Sequence, residues 1–166
     1  MLARKINRPK WDTREYLEED TIRADAMTKC LCTSDDALSW WRCEGDENGL
    51  EEVALALATG PKSARVETIF VATLPVSCLE DAGMTTRQTP GKTAVDKLKS
   101  RHVNVVELDI EGLATIAKML APRIRGNKLV KRFTRKRLTD LIKTAIEDKR
   151  LDPAELHQEL REKLGL

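Results

Sequence analysis

The chain predicts an α/β or α+β fold, a small mixed sheet of about four strands flanked by helices, with a C-terminal helical pair. Three observations carry that expectation. Apolar runs of strand length alternate with stretches of helical period through the first three-quarters of the 166 residues. The last third carries only helical periodicity. Aromatic residues are 4% of a chain that is 41% apolar, so the core is aliphatic. The expected division is an α/β core over 1–122, then a basic connector and helical pair over 123–166 packed on it.

Taken in order, residues 2–7 give a weak strand signal that Pro9 closes. Residues 13–31 read as a helix: Leu17, Ile22, Ala26, Met27, Cys30 and Leu31 gather on one stripe, and Thr13 is placed to cap it. Ser34, Asp35 and Asp36 form a turn before a strand at 37–43. That strand sets Leu38, Trp40 and Arg42 against Ala37, Ser39, Trp41 and Cys43. Residues 44–49 are polar and contain two glycines, so they read as a loop. Residues 50–59 make a short helix stopped by Gly60.

The clearest strand is 66–74, whose Ile69-Phe70-Val71 centre suits a strand covered on both faces. Pro75 ends it, 76–82 form a helical turn stopped at Gly83, and 84–92 lack periodicity and read as a surface loop. A helix over 92–100 leads to a strand at 103–108. Asp109 then caps a helix at 110–120. Residues 122–130 are the basic connector. Phe133-Thr134 opens the strongest helix, with Leu138, Leu141, Ile142, Ala145 and Ile146 on one face. Asp152-Pro153-Ala154-Glu155 starts a last helix along Leu156, Leu160 and Leu164.

Charge is distributed unevenly along this chain. Residues 16–55 hold 11 acidic groups against three basic ones, whereas 121–150 hold 11 basic against three acidic, under a net charge of only +2. Such polarity bears on partners rather than on fold. Arg135, Lys136 and Arg137 occupy the first turn of a helix, where the dipole disfavours cations, so helix stability does not call for them. With Lys128, Lys131, Arg132 and Lys143 they form a candidate nucleic-acid or anion-binding segment. The competing readings are an ordinary solvated face, an acidic protein partner, and a second copy of the chain presenting its acidic half.

No zinc-finger, RNP or basic-zipper pattern is present, and Phe133 stands without other aromatics to stack bases. A helix-turn-helix over 134–163 is disfavoured, because 149–152 contain no glycine and the second helix is acidic. Trp40 and Trp41 point to opposite faces of a strand; an exposed one would be a partner-binding anchor, while two covered faces explain the pair equally well.

The four cysteines include Cys30-x-Cys32, a gap too short for a usual zinc pair, so they read as plain thiols and no metal or cofactor is expected. Gly91-Lys92-Thr93 resembles the end of a phosphate-binding loop, but the leading glycine that pattern requires would fall on Thr86, so a turn after Pro90 is the plainer reading. There is no G-x-S-x-G elbow and no catalytic residue is assigned. No apolar run is long enough to span a bilayer, and the N-terminus lacks the apolar core of a secretory signal, so a reduced cytoplasmic location is expected.

The leading expectation is a small non-catalytic interaction or regulatory protein whose basic segment engages an anionic partner. A protein partner or self-association is expected, nucleic acid is an open partner, and no membrane is involved. The alternative is an enzyme acting on a phosphorylated or nucleotide substrate with His102 and Lys92 near its pocket. The two differ in shape. An enzyme requires a concave pocket joining those residues with a carboxylate, whereas a binding module presents a convex basic face without one.

Overall fold

The computed structural model describes residues 1–12, 21–126 and 129–166. Strands β1 (Leu2–Ile6), β2 (Leu38–Arg42), β3 (Ile69–Leu74), β4 (Thr86–Gln88), β5 (His102–Val105) and β6 (Val130–Phe133) form one six-stranded sheet in the order β4-β5-β2-β1-β3-β6. Every neighbouring pair is antiparallel, so the fold is mixed α/β in content while the sheet is larger than expected and not mixed.

The helices are α1 (Ala24–Cys30), α2 (Glu47–Ala58), α3 (Val76–Asp81), α4 (Asp96–Lys99), α5 (Ile110–Arg125), α6 (Arg135–Glu147) and α7 (Gln158–Leu164). They form two layers because alternate strand residues face opposite ways. Leu2, Ile6, Leu38, Trp40, Leu74, Val103 and Val105 bury against α1, α3 and α5. Ala3, Trp41, Ile69, Val71 and Phe133 bury against α2, α4, α6 and α7.

Several boundaries differ from expectation for identifiable reasons. Residues 13–20 of the helix expected at 13–31 lie outside the described residues, and α1 covers its last part. The expected loop at 44–49 contains the first turn of α2, because the Asp46 carboxylate accepts the Gly49 N–H at 2.8 Å and caps the helix there. Helix α5 runs through Pro122 to Arg125, since Pro122 faces solvent while buried Ile124 continues the apolar stripe. The last helix breaks in two. Asp152 caps a single 3-10 turn, the chain extends at Leu156, and α7 starts after His157.

Two strands went unexpected, and both are sheet edges. In β4, all three residues are polar, and in β6 Lys131 and Arg132 are exposed between Val130 and buried Phe133. Polar and charged edges discourage pairing with other chains and hide the apolar alternation that marks a strand. The pairing of β6 with β3 puts part of the 123–166 segment inside the sheet. No helix among the described residues is long and apolar enough to cross a membrane.

Candidate functional site

The basic segment is dispersed by the fold. Lys128 lies outside the described residues. Lys131 and Arg132 are neighbours on β6 and therefore point to opposite faces of the sheet. Lys131 reaches Glu47 of α2 at 2.7 Å, and that contact holds the Glu47 carboxyl below the usual carboxylate range. Arg137 donates through Nε to Glu51 at 2.9 Å and through Nη2 to the same oxygen. Arg150 pairs with Glu52 at 2.7 Å.

These contacts join the basic third of the chain to the acidic front, along the packing of α6 on α2. Part of the charge polarity read from the sequence is thus neutralised within the molecule. Lys136 and Lys143 are exposed and seven residues apart on α6, so they share a stripe with Asp140 and Glu147 at helical spacing. Arg132, Arg135, Lys136 and Lys143 make no ion pair among the described residues.

Neither adjacent indole is presented to a partner: Trp40 is 0% exposed and Trp41 7%, one in each core layer. Trp41 instead forms a wall of a cavity of about 620 Å³. Ser39 and Trp41 on β2 and His102 and Asn104 on β5 alternate with the buried Leu38, Trp40, Val103 and Val105. Beyond the single turn of α4, no helix among the described residues covers Ser39, His102 and Asn104, and polar side chains stand where apolar ones would otherwise pack. Lys92 and Asp35 also line this cavity, so a concave pocket joins His102, Lys92 and a carboxylate.

Two loops build the walls. On one side Ser34 and Ala37 exchange backbone hydrogen bonds of 3.1 Å around Asp35 and Asp36, both left-handed with φ 53°. That is a two-residue turn of the kind usually filled by asparagine and glycine. Arg4 ties it to the sheet, donating to the carbonyls of Cys30 at 2.8 Å, Ser39, and Cys32 at 3.5 Å. Burial pushes the Arg4 guanidinium down to about 10.

On the other side the 89–95 loop is fixed along its length. Gly91 N–H donates to Lys99 O at 2.8 Å, Ala94 N–H to Thr59 O at 3.0 Å, and the buried Thr59 and Thr93 hydroxyls meet at 2.8 Å. A Cβ on Gly91 would lie 2.5 Å from Trp41 Cη2 and 2.8 Å from His102 Cβ, so only glycine fits without displacement. Lys92 is the exposed residue in the middle of this anchored loop.

His102 is held by its edge and its ring. Nδ1 lies 3.2 Å from Thr89 O and 2.9 Å from Thr89 Oγ1. Thr89 O accepts a proton from Nδ1, whereas Thr89 Oγ1, which already accepts from Asn104, can donate one to it, so these contacts fit the proton on either ring nitrogen. Trp41 meets the imidazole edge-on, with centroids 5.1 Å apart. Burial lowers the His102 pKa below the ordinary histidine value, against the opposing hydrogen bond to Thr89. Asn104 Nδ2 donates to Thr89 Oγ1 at 3.2 Å, while its Oδ1 is buried without a partner among the described residues.

Sequence reasoning named His102 and Lys92 but missed Thr89, Asn104, Ser39 and Asp35. A signal was present: Ser39 in β2 and His102 and Asn104 in β5 each stand next to apolar residues of the opposite phase. Among the described residues, no three His, Cys, Asp or Glu side chains are grouped to hold a metal ion. Comparison with protein families, with characterised proteins and with solved structures finds no match to this chain.

Proposed function

We propose that the protein is an enzyme acting on a small phosphorylated, hydroxyl-bearing molecule in the His102 cavity. The observation that carries the reading is the placement of His102 in a concave site with Lys92 and Asp35, its Nδ1 edge fixed on Thr89. In this reading Nδ1–H is held by Thr89 O, and the ring, whose pKa burial lowers, offers Nε2 as a proton acceptor. Thr89 O stabilises the imidazolium formed when Nε2 takes a proton from a substrate hydroxyl. Lys92, fixed by its loop, holds the phosphate. Asp35 at the rim accepts from a second hydroxyl. Trp41 exposes too little of its ring to stack a base, which favours a sugar phosphate over recognition through a nucleobase.

The test uses the fact that the chain has two histidines, His102 and His157. Ribose 5-phosphate, titrated while ¹H–¹³C imidazole spectra are recorded, is expected to shift the His102 signals and leave those of His157 in place. Lys92→Met is expected to weaken binding by about tenfold or more, the loss of one charge-assisted hydrogen bond. Unmoved His102 signals at millimolar ligand, or equal binding by Lys92→Met, would overturn the reading.

A further inference from the structure

Away from the His102 cavity, cations distant in sequence converge at one end of the sheet. Lys5 closes β1, Lys62 and Arg65 belong to the α2–β3 loop, Arg135 and Lys136 open α6, and Lys163 is on α7. Four of these, Lys5, Lys62, Arg65 and Lys163, line a cavity of about 460 Å³ floored by Leu57, Val66 and Ile69. The first turn of α6 adjoins it, since the Arg135 N–H donates to Thr68 Oγ1 at 3.3 Å, between the cavity residues Glu67 and Ile69. Lys163 Nζ donates to Ala64 O at 3.1 Å and fastens α7 against the same loop.

The carboxylates of this cavity are already engaged, Glu67 with Arg65 and Glu159 with Lys163. Lys5, Lys62, Arg135 and Lys136 are exposed and make no ion pair among the described residues. This differs from the sequence-adjacent cluster, whose Lys131 and Arg137 neutralise α2. Only Arg135 and Lys136 belong to both.

We propose that this end of the molecule binds the phosphate backbone of duplex nucleic acid, independently of the His102 cavity. A concave surface carrying like charge focuses field on an anion, and unpaired lysines and arginines release counterions from a polyphosphate. The surface lacks what other partners need. Among the described residues the exposed large apolar side chains are Ile110 and Leu166, and none of them gives this surface an aromatic anchor for a protein partner. Nor do the described residues give it an aromatic platform for the bases of a single strand. Backbone contact through charge alone is what the residues support, and it is indifferent to sequence.

The test is fluorescence anisotropy of a short mixed-sequence DNA duplex as salt is varied. With four unpaired cations engaged, the slope of log affinity against log salt is expected to be about −3 to −4. Lys62→Ala and Arg135→Ala should each reduce that slope by about one and weaken binding to all sequences alike. Lys118→Ala, on exposed α5 surface of the other layer, should change neither. The proposal is overturned by no binding at low salt, by tighter binding to polyglutamate or to a single strand than to the duplex, or by equal effects of all three substitutions. None of these outcomes depends on whether ribose 5-phosphate enters the His102 cavity.

Discussion

At the scale of single residues, His102 and Gly91 give the sharpest consequences. Because burial lowers the His102 pKa, the unfolded chain takes up this proton at higher pH than the folded one. The contribution is fully present above the unfolded value near pH 6.5 and is lost as pH falls through it toward the lower folded value. The urea midpoint should therefore fall on acidification across that window, and His102→Gln should flatten the dependence; a midpoint rising there would contradict the assigned burial. Gly91→Ala forces a methyl onto Trp41 and His102, so it should cost about 1–3 kcal/mol and displace the imidazole. Thermal melts and the His102 resonance read both effects, and an unperturbed melt would remove Gly91 from the account. His102 and Lys92 were legible as chemistry-bearing residues in the sequence. Their pairing in one pocket was the alternative reading, but the parts Thr89 and Asn104 play were not legible, because these assemble with them only when β5 pairs with β2 and the 89–95 loop folds over Trp41.

At the scale of elements, buried periodicity was readable and edges were not. The alternation of β2, the apolar centre of β3 and the stripe of α6 were each visible because one face of the element is fully covered. In β4 and β6 exposed polar residues replace that signal, so one read as a loop and the other as a connector. The α6–α2 contact carries its own prediction. Arg137 is half-exposed while the Glu51 side chain is largely covered, and an ion pair with one solvated partner contributes little. Glu51→Gln should cost less than about 1 kcal/mol by chemical denaturation, the apolar packing of Leu138, Ile142 and Ala145 being the larger holding force. A much greater loss would mean that charge pairing, and not burial, fixes α6 on α2.

At the scale of the whole molecule, two charge patterns coexist. The one legible in the sequence, an acidic front and a basic tail, is partly consumed by Lys131, Arg137 and Arg150 against the glutamates of α2. The other is assembled by folding from Lys5, Lys62, Arg135 and Lys136, which no local window of sequence contains. Among the described residues no helix beyond α4 covers part of one sheet face, and that gap holds His102, to which the proposed function gives proton transfer. A crystal of the protein soaked in ribose 5-phosphate tests this most directly. Density is expected in the gap with a phosphate oxygen on Lys92 Nζ and a hydroxyl within hydrogen-bond distance of His102 Nε2. Ligand ordered only elsewhere, or a cavity that stays empty at saturating ligand, would contradict it.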